Sequence, residues 1–362
     1  MKKIDRFQCG MGIGGWLTNY KRFNVLPNEK RLCITVGDME HFESYITEKD
    51  ISYIASLGMD HIRLGFDQIV LEESPYRYRS KIFKLLHDFV GWCKKYNLRP
   101  VLNMHKALGN YCDILEERGL MQDEELQNRF VALWLKIEEE FSEEEEVFFE
   151  LLNEVVNATA EEWNALAEKT VRAIRAKNPH RVIVLGGNYY NSPEALPGLK
   201  VFDDENIIYT FHVYQPQEFT HQQGVLNPTN LYYNRKMPYP CDDVERYREY
   251  RRINGLNDPY EGVERIDVEY MRKYLTPAAD FVKKYPDKIL WCGEFGTIRH
   301  ADLVWRENWM RDVITILKEN DIPYSVWNYL STPNDGNRFS LVDDDNRQIL
   351  SEALAQIIRG NV

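Results

Sequence analysis

The stretch SKIFKLLHDFVGWCKKYNLRPVLNMH, residues 80–105, carries the unit from which the fold is read. Ile82, Phe83, Leu85, Leu86, Phe89, Val90 and Cys93 recur at a spacing of about 3.6 residues and share one helical face. Lys81, Lys84, Asp88 and Lys95 fall elsewhere. Asn97 and Pro100 close the helix, and Val101-Leu102-Asn103-Met104 follows as a short apolar strand. A one-faced helix feeding into an apolar strand is the repeat of a parallel sheet covered by helices.

The same alternation runs along the 362-residue chain. Strands are expected near 8–16, 61–66, 99–105, 147–154, 181–187, 207–213, 288–294 and 322–328. Helices are expected near 47–57, 80–96, 121–141, 160–177, 264–284, 303–319 and 348–359, with a shorter one near 193–199. Eight strand–helix alternations argue for the α/β class and a (β/α)8 TIM barrel, residues 1–362 forming a single catalytic domain. The widest interval without regular periodicity, about 215–262, follows strand six as an extended loop, a wall or lid on the face where barrels carry their sites. Its Tyr232, Tyr233, Tyr239 and Tyr247 bear on whether one end of a cleft is closed. Tyr189, Tyr190 and Asn191, after strand five, are expected to line that cleft.

Composition removes other classes. A net charge of -12 disfavours a nucleic-acid groove, and no apolar stretch approaches the ~20 residues that span a bilayer. The first residues, MKKIDRFQCGMGIGGWL, lack the apolar core of a signal peptide, so a cytoplasmic protein is expected, or a secreted one if a leader has been removed. The six cysteines, Cys9, Cys33, Cys93, Cys112, Cys241 and Cys292, form no C-x-x-C pair and read as reduced thiols. The acidic run Glu138 to Glu146 reads as a solvated helix end. Gly10-Met11-Gly12-Ile13-Gly14-Gly15-Trp16 lacks dinucleotide-fingerprint spacing, and no G-x-S-x-G nucleophile elbow occurs.

In a barrel the C-terminal strand ends converge. Those ends supply Arg63, His105, Asn153-Glu154, His212 with Tyr214, Glu294 and Trp327. Leu151-Leu152-Asn153-Glu154 and Trp291-Cys292-Gly293-Glu294 each place a glutamate at the end of an apolar run, where burial demands a partner. Two carboxyls at one pocket are the equipment of glycoside hydrolysis. Arg63 and Tyr214 can donate to a carboxylate and keep it ionised. Asn153 can bond a sugar 2-hydroxyl, His105 and His212 can bond hydroxyls or orient a carboxylate, and Trp327 offers a face to a pyranose. Singly, each has a plainer reading: Arg63 as an interior counterion, Trp327 as packing, the histidines as buried groups satisfied by backbone. Metal binding by His105, His212 and Glu294 lacks an H-x-H or H-E-x-x-H spacing.

Taken in order, these motifs resemble glycoside hydrolase family 5, a group of retaining (β/α)8 enzymes that includes cellulases and exo-glucanases. The resemblance runs from Gly14-Gly15-Trp16-Leu17 to Trp327 and rests on Arg63, His105, Asn153-Glu154, His212-Val213-Tyr214, Glu294 and Trp327. It implies double displacement with Glu294 as nucleophile and Glu154 as acid/base, on an oligosaccharide or polysaccharide with β-glucosidic linkages, with no cofactor or metal and no nucleic-acid or membrane partner. Val155 stands where many members have proline, and Asn103 where an aspartate often precedes the histidine. The alternatives are a β-mannan-active hydrolase or transglycosylase of the same family, and a non-catalytic carbohydrate-binding barrel that would use Trp16, Trp327 and the tyrosine-rich loop.

Overall fold

The computed structural model describes residues 4–18, 34–111, 119–224, 234–332 and 335–362. Eight strands close into a barrel: β1 (Cys9–Leu17), β2 (His61–Asp67), β3 (Arg99–Lys106), β4 (Phe148–Glu150), β5 (Ile183–Gly186), β6 (Ile207–Val213), β7 (Ile289–Phe295) and β8 (Tyr324–Val326). All neighbours pair in parallel, and β8 returns to β1 through Cys9–Tyr324, Gly10–Ser325 and Met11–Val326. The expected (β/α)8 barrel is the architecture found. Helix Ser80–Lys95 buries the stripe read from its sequence: Ile82, Phe83, Leu86, Phe89, Val90 and Cys93.

Strand alternation sorts residues between two compartments. Ile62, Leu64 and Phe66 of β2 join the large core under the helices. Val101, Phe148, Val184, Ile208, Ile289 and Trp291 close the barrel floor around Phe7, whose ring lies 4.4 Å from His61 and 5.3 Å from Phe148 and Trp291. Above that floor the interior turns polar, with Arg63, Asn103, Glu150 and Thr210 fully buried. Fixed charge thus sits inside the barrel, on the side where the strands end.

One irregularity aims a key side chain. Thr210 pairs with Trp291 and Phe211 with Cys292, but His212 pairs with Glu294, and on the other edge Tyr324 pairs with Cys292 but Val326 with Phe295. Strand β7 therefore carries an extra residue after Cys292, a β-bulge. Trp291 faces the barrel interior, so strict alternation would send Glu294 toward the helices. The bulge returns it inward.

Several boundaries differ from expectation. The segment expected as helix 264–284 is two helices, Val268–Tyr274 and Thr276–Lys284, the second opening with Pro277 in its first turn, where a missing N–H costs nothing. The segment near 121–141 divides at Asp123, which caps Glu124–Glu140 by accepting from the N–H groups of Glu125 and Leu126. Within the supposed loop 215–262 lies helix Val244–Ile253. Its inner face is built from Val244 and Tyr247, with Tyr250 and Arg251 beside them, so polar-ended side chains do the burying and the apolar period is faint. Tyr239 and Tyr247 are buried, with hydroxyls on Asp312 (2.8 Å) and the Pro238 carbonyl (2.6 Å), so they pack this segment and do not face a cleft. Tyr232 and Tyr233 lie outside the described residues, as do Cys33 and Cys112.

Glu138 departs from its acidic run: it is buried and accepts from Arg181 Nε at 2.7 Å. Cys9, Cys93, Cys241 and Cys292 are free thiols. Among the described residues no helix is long and apolar enough to cross a membrane.

Candidate active site

Arg63 is the hub of the strand-end cluster. It is fully buried, and its guanidinium meets three partners. Nε and Nη2 donate to Glu150 at 2.6 and 2.8 Å, Nη2 also donates to Asn153 Oδ1 at 2.8 Å, and Nη1 donates to Glu294 Oε1. Burial opposes its charge, but the two carboxylates outweigh that and hold the guanidinium protonated. Tyr214 donates its hydroxyl to the other Glu294 oxygen at 2.8 Å. Burial, and then the Glu294 charge, push the Tyr214 phenol well above its ordinary range, so it remains a donor. Glu294 thus receives a hydrogen bond on each oxygen.

Glu154 sits in a different environment. Its side chain keeps 18% of its surface exposed, and Oε1 lies 3.0 Å from His212 Nδ1. Burial pushes its pKa up to about 7; Arg63 pulls against that, and Glu150 adds to it. His212 is pushed down to about 4, chiefly by burial, so at neutral pH the ring is uncharged and donates from Nδ1. One oxygen each of Glu154 and Glu294 and a ring nitrogen of His212 all lie within 4.8 Å of one another. These three donors could also meet one cation, but Arg63 already brings a positive charge to Glu294. The cluster therefore holds two carboxyls in unlike settings facing the same small volume: Glu154 pushed up by burial, and Glu294 with a donor on each oxygen.

Trp327 forms the wall beside them. It stacks on His105 at 5.3 Å with 5° between ring planes, and His105 Nδ1 lies 3.1 Å from Asn103 Oδ1. The glycines of β1 make room for it: a Cβ at Gly12 or Gly14 would stand 2.7 or 2.5 Å from the indole. The alternating glycines that resembled a nucleotide loop are the slot for this tryptophan. Trp16, by contrast, is buried, stacks on Trp92, and donates Nε1 to the Phe42 carbonyl at 2.6 Å, which makes it core packing.

Residues 25–332 match the family described as cellulase, glycosyl hydrolase family 5. The chain belongs to that family. It is 37% identical over 361 residues to endoglucanase C of Acetivibrio thermocellus, covering 97% of this chain and 98% of that one. It is 27% identical to cellodextrinase A of Ruminococcus flavefaciens, over 86% of this chain and 82% of the relative. Among solved structures, a hyperthermophilic endo-β-1,4-glucanase in complex with substrate superposes with a TM-score of 0.74 at 22% identity, covering 98% and 97% of the two chains. The protein is a cellulase-like O-glycosyl hydrolase of a retaining family.

Family 5 context gives one of the departures its meaning. Asn103 supplies from a neutral side chain the oxygen that orients His105. Nothing in the structure explains Val155 in place of proline; its carbonyl, which a proline would also offer, accepts the Tyr190 N–H at 3.2 Å and ties the Glu154 segment to the turn after β5. In that turn Tyr189, Tyr190 and Asn191 all have positive φ, 56°, 59° and 52°. Tyr189 and Tyr190 remain 62% and 36% exposed, but Asn191 is fully buried against Gly186, and its carbonyl accepts the His212 N–H at 2.8 Å. Asn191 therefore does not line the cleft as expected; it braces β6. The set Arg63, His105, Asn153, Glu154, His212, Tyr214, Glu294 and Trp327 is brought together as the strand ends implied. Glu150 went unrecognised, although a lone charge inside Val147-Phe148-Phe149-Glu150-Leu151-Leu152 signals a buried ion pair.

Proposed function

We propose that this hydrolase is an endo-acting β-glucanase in which Glu294 is the nucleophile and Glu154 the acid/base. The observation that carries the roles is the contrast in their partners: Glu294 is held by a guanidinium and a phenol, Glu154 by a neutral imidazole in a buried setting. The approach of the two carboxyls, with oxygens within 4.8 Å, fits the roughly 5–5.5 Å spacing of retaining enzymes; inverting pairs stand about 6.5–9.5 Å apart. Endo action is supported by the full-length similarity to endoglucanase C.

The chemistry follows from the geometry. Glu294 attacks the anomeric carbon while Arg63 and Tyr214 fix its two oxygens. Glu154 gives its proton to the departing oxygen, with His212 occupying Oε1 so that the proton resides on Oε2. Asn153 Oδ1 is taken by Arg63, which leaves its amide N–H groups for the sugar 2-hydroxyl, a bond that tightens in the oxocarbenium-like transition state. Trp327 supplies the face for the ring at the cleaved bond. Tyr189 and Tyr190, next in space to the segment bearing Glu154, are placed to meet the leaving sugar. The Glu154 carboxylate then deprotonates water, which releases the sugar with retained configuration.

The test is product analysis on β-1,3-gluco, β-1,4-gluco and β-1,4-manno oligosaccharides, with Glu294→Gln alongside. Cleavage of one gluco series to several product sizes, by wild type only, is expected. A single terminal product would overturn endo action, and full activity in Glu294→Gln would overturn the assignment of roles.

A further inference from the structure

We infer that Glu150 is a positioning residue for the reaction: its buried carboxylate takes two arms of Arg63 and thereby aims the remaining N–H groups at Glu294 and Asn153. This rests on the reading of Glu154 and Glu294 as the reacting pair.

The geometry is specific. Glu150 is fully buried on β4, level with Asn103 of β3, and its two oxygens accept from Nε and Nη2 of Arg63 at 2.6 and 2.8 Å. A bidentate pair of this kind fixes the guanidinium plane. With that plane fixed, Nη1 reaches Glu294 and the second Nη2 hydrogen reaches Asn153 at 2.8 Å. One clamp therefore sets both the attacking carboxylate and the residue offered to the sugar 2-hydroxyl. Without Glu150, Arg63 would keep only single bonds to Glu294 and Asn153, with no bidentate partner to fix its plane.

Charge gives the clamp a second effect. Arg63 carries one positive charge against Glu150 and Glu294, so the enclosed group is left with one net negative charge beside Glu154. Glu154 is faced by Arg63 from β2, Lys106 from β3, Glu150 from its own chain segment, His212 and Tyr214 from β6 and its end, and Glu294 from β7. His212 is uncharged at neutral pH, and Tyr214 keeps its proton. Removing the Glu150 charge would leave Arg63 balanced by Glu294 alone, and Glu154 would release its proton at lower pH.

The experiment is the pH profile of kcat/KM on an unactivated gluco-oligosaccharide for wild type, Glu150→Gln and Glu150→Asp, with thermal melts to confirm folding. Glu150→Gln is expected to move the basic limb about one pH unit lower, a roughly tenfold loss above that limb, with KM little changed. Glu150→Asp keeps the charge with a shorter reach, so its basic limb should stay at the wild-type pH while kcat falls. A folded Glu150→Gln whose limb coincides with wild type would overturn the inference. Equal displacement in both variants would do the same, since it would reflect distortion and not charge. If Glu150→Gln does not fold, the Glu150→Asp limb decides: unmoved supports, displaced overturns. Glu154→Gln run in parallel separates the two levels. If it keeps wild-type turnover the acid/base reading itself fails; if it is crippled while the Glu150 variants leave the limb in place, only this inference fails.

Discussion

The ends of β4 and β7 each deliver one glutamate to the same few ångströms, by opposite means. After β4 the chain leaves the ladder at Glu150, and Glu154 is carried on an irregular segment pinned by the Asn153 N–H to the Met104 carbonyl at 2.8 Å. In β7 the glutamate stays within the strand and is turned inward by a bulge between well-paired neighbours. The looser mounting serves the residue that keeps some exposure and a single neutral donor; the rigid one serves the residue with charged and phenolic donors. Two residues of one type acquire different electrostatic surroundings because their backbones place them against different partners.

Breaking the β7 side should have the largest effect. Glu294→Gln removes the proposed nucleophile while keeping the side chain's shape, and kcat should fall by at least ~10⁴-fold, measured by reducing-end release on protein shown by circular dichroism to be folded. Breaking the β4 side is milder and depends on the leaving group. Glu154→Gln should lose roughly 10²–10⁴-fold on oligosaccharides, while the first step on an aryl glycoside with an activated leaving group survives. The variant should also lose the basic limb expected of wild type near pH 7, where burial pushes the ionisation of Glu154. Equal losses on both substrate types would erase the distinction between the two sites.

A smaller change sharpens the comparison from the β7 side. Tyr214→Phe deletes one of the two donors on Glu294 and leaves Arg63 in place. A loss of about 10–10²-fold in kcat is expected, smaller than either glutamate variant, because the remaining donor still positions the carboxylate. Stopped assays on activated and unactivated substrates should show the same loss on both, since attack and not proton donation is impaired.

The barrel was legible because every strand and most helices carry a hydrophobic period, as residues 80–105 do. What escaped lacks such a period. Helix Val244–Ile253 buries tyrosine and arginine stems, and a scan for apolar faces passes over it. The bulge after Cys292 is a matter of register between three strands, and no single strand's residues encode it. Among site residues, those at strand ends were readable from position alone. Glu150 lies one turn of logic deeper: it was visible as a charge within an apolar run, but its partner is 87 residues away and known only from the fold. Tyr239 and Tyr247 show the reverse error, aromatic residues in a loop that face inward.

The least of the expected effects concerns stability, and it has a definite sign. Burial raises Glu154 from an ordinary 4.5 to about 7 in the folded protein, so the folded state binds this proton more tightly than the unfolded chain. Its contribution is most favourable below about 4.5 and is lost as pH climbs from there through about 7, where the carboxyl must ionise in a setting that resists charge. A glutamine at this position has no proton to lose. Glu154→Gln should therefore melt a few degrees above wild type at pH 8, with the difference shrinking to nothing near pH 4, as followed by calorimetry across that range. Glu294 receives a donor on each oxygen, so Glu294→Gln leaves the buried Arg63 with Glu150 as its one ionic partner and should melt below wild type at pH 8. Opposite signs for the two variants would express in stability the same division of roles that the activity assays test; a shared sign would mean that the two mountings differ in geometry alone.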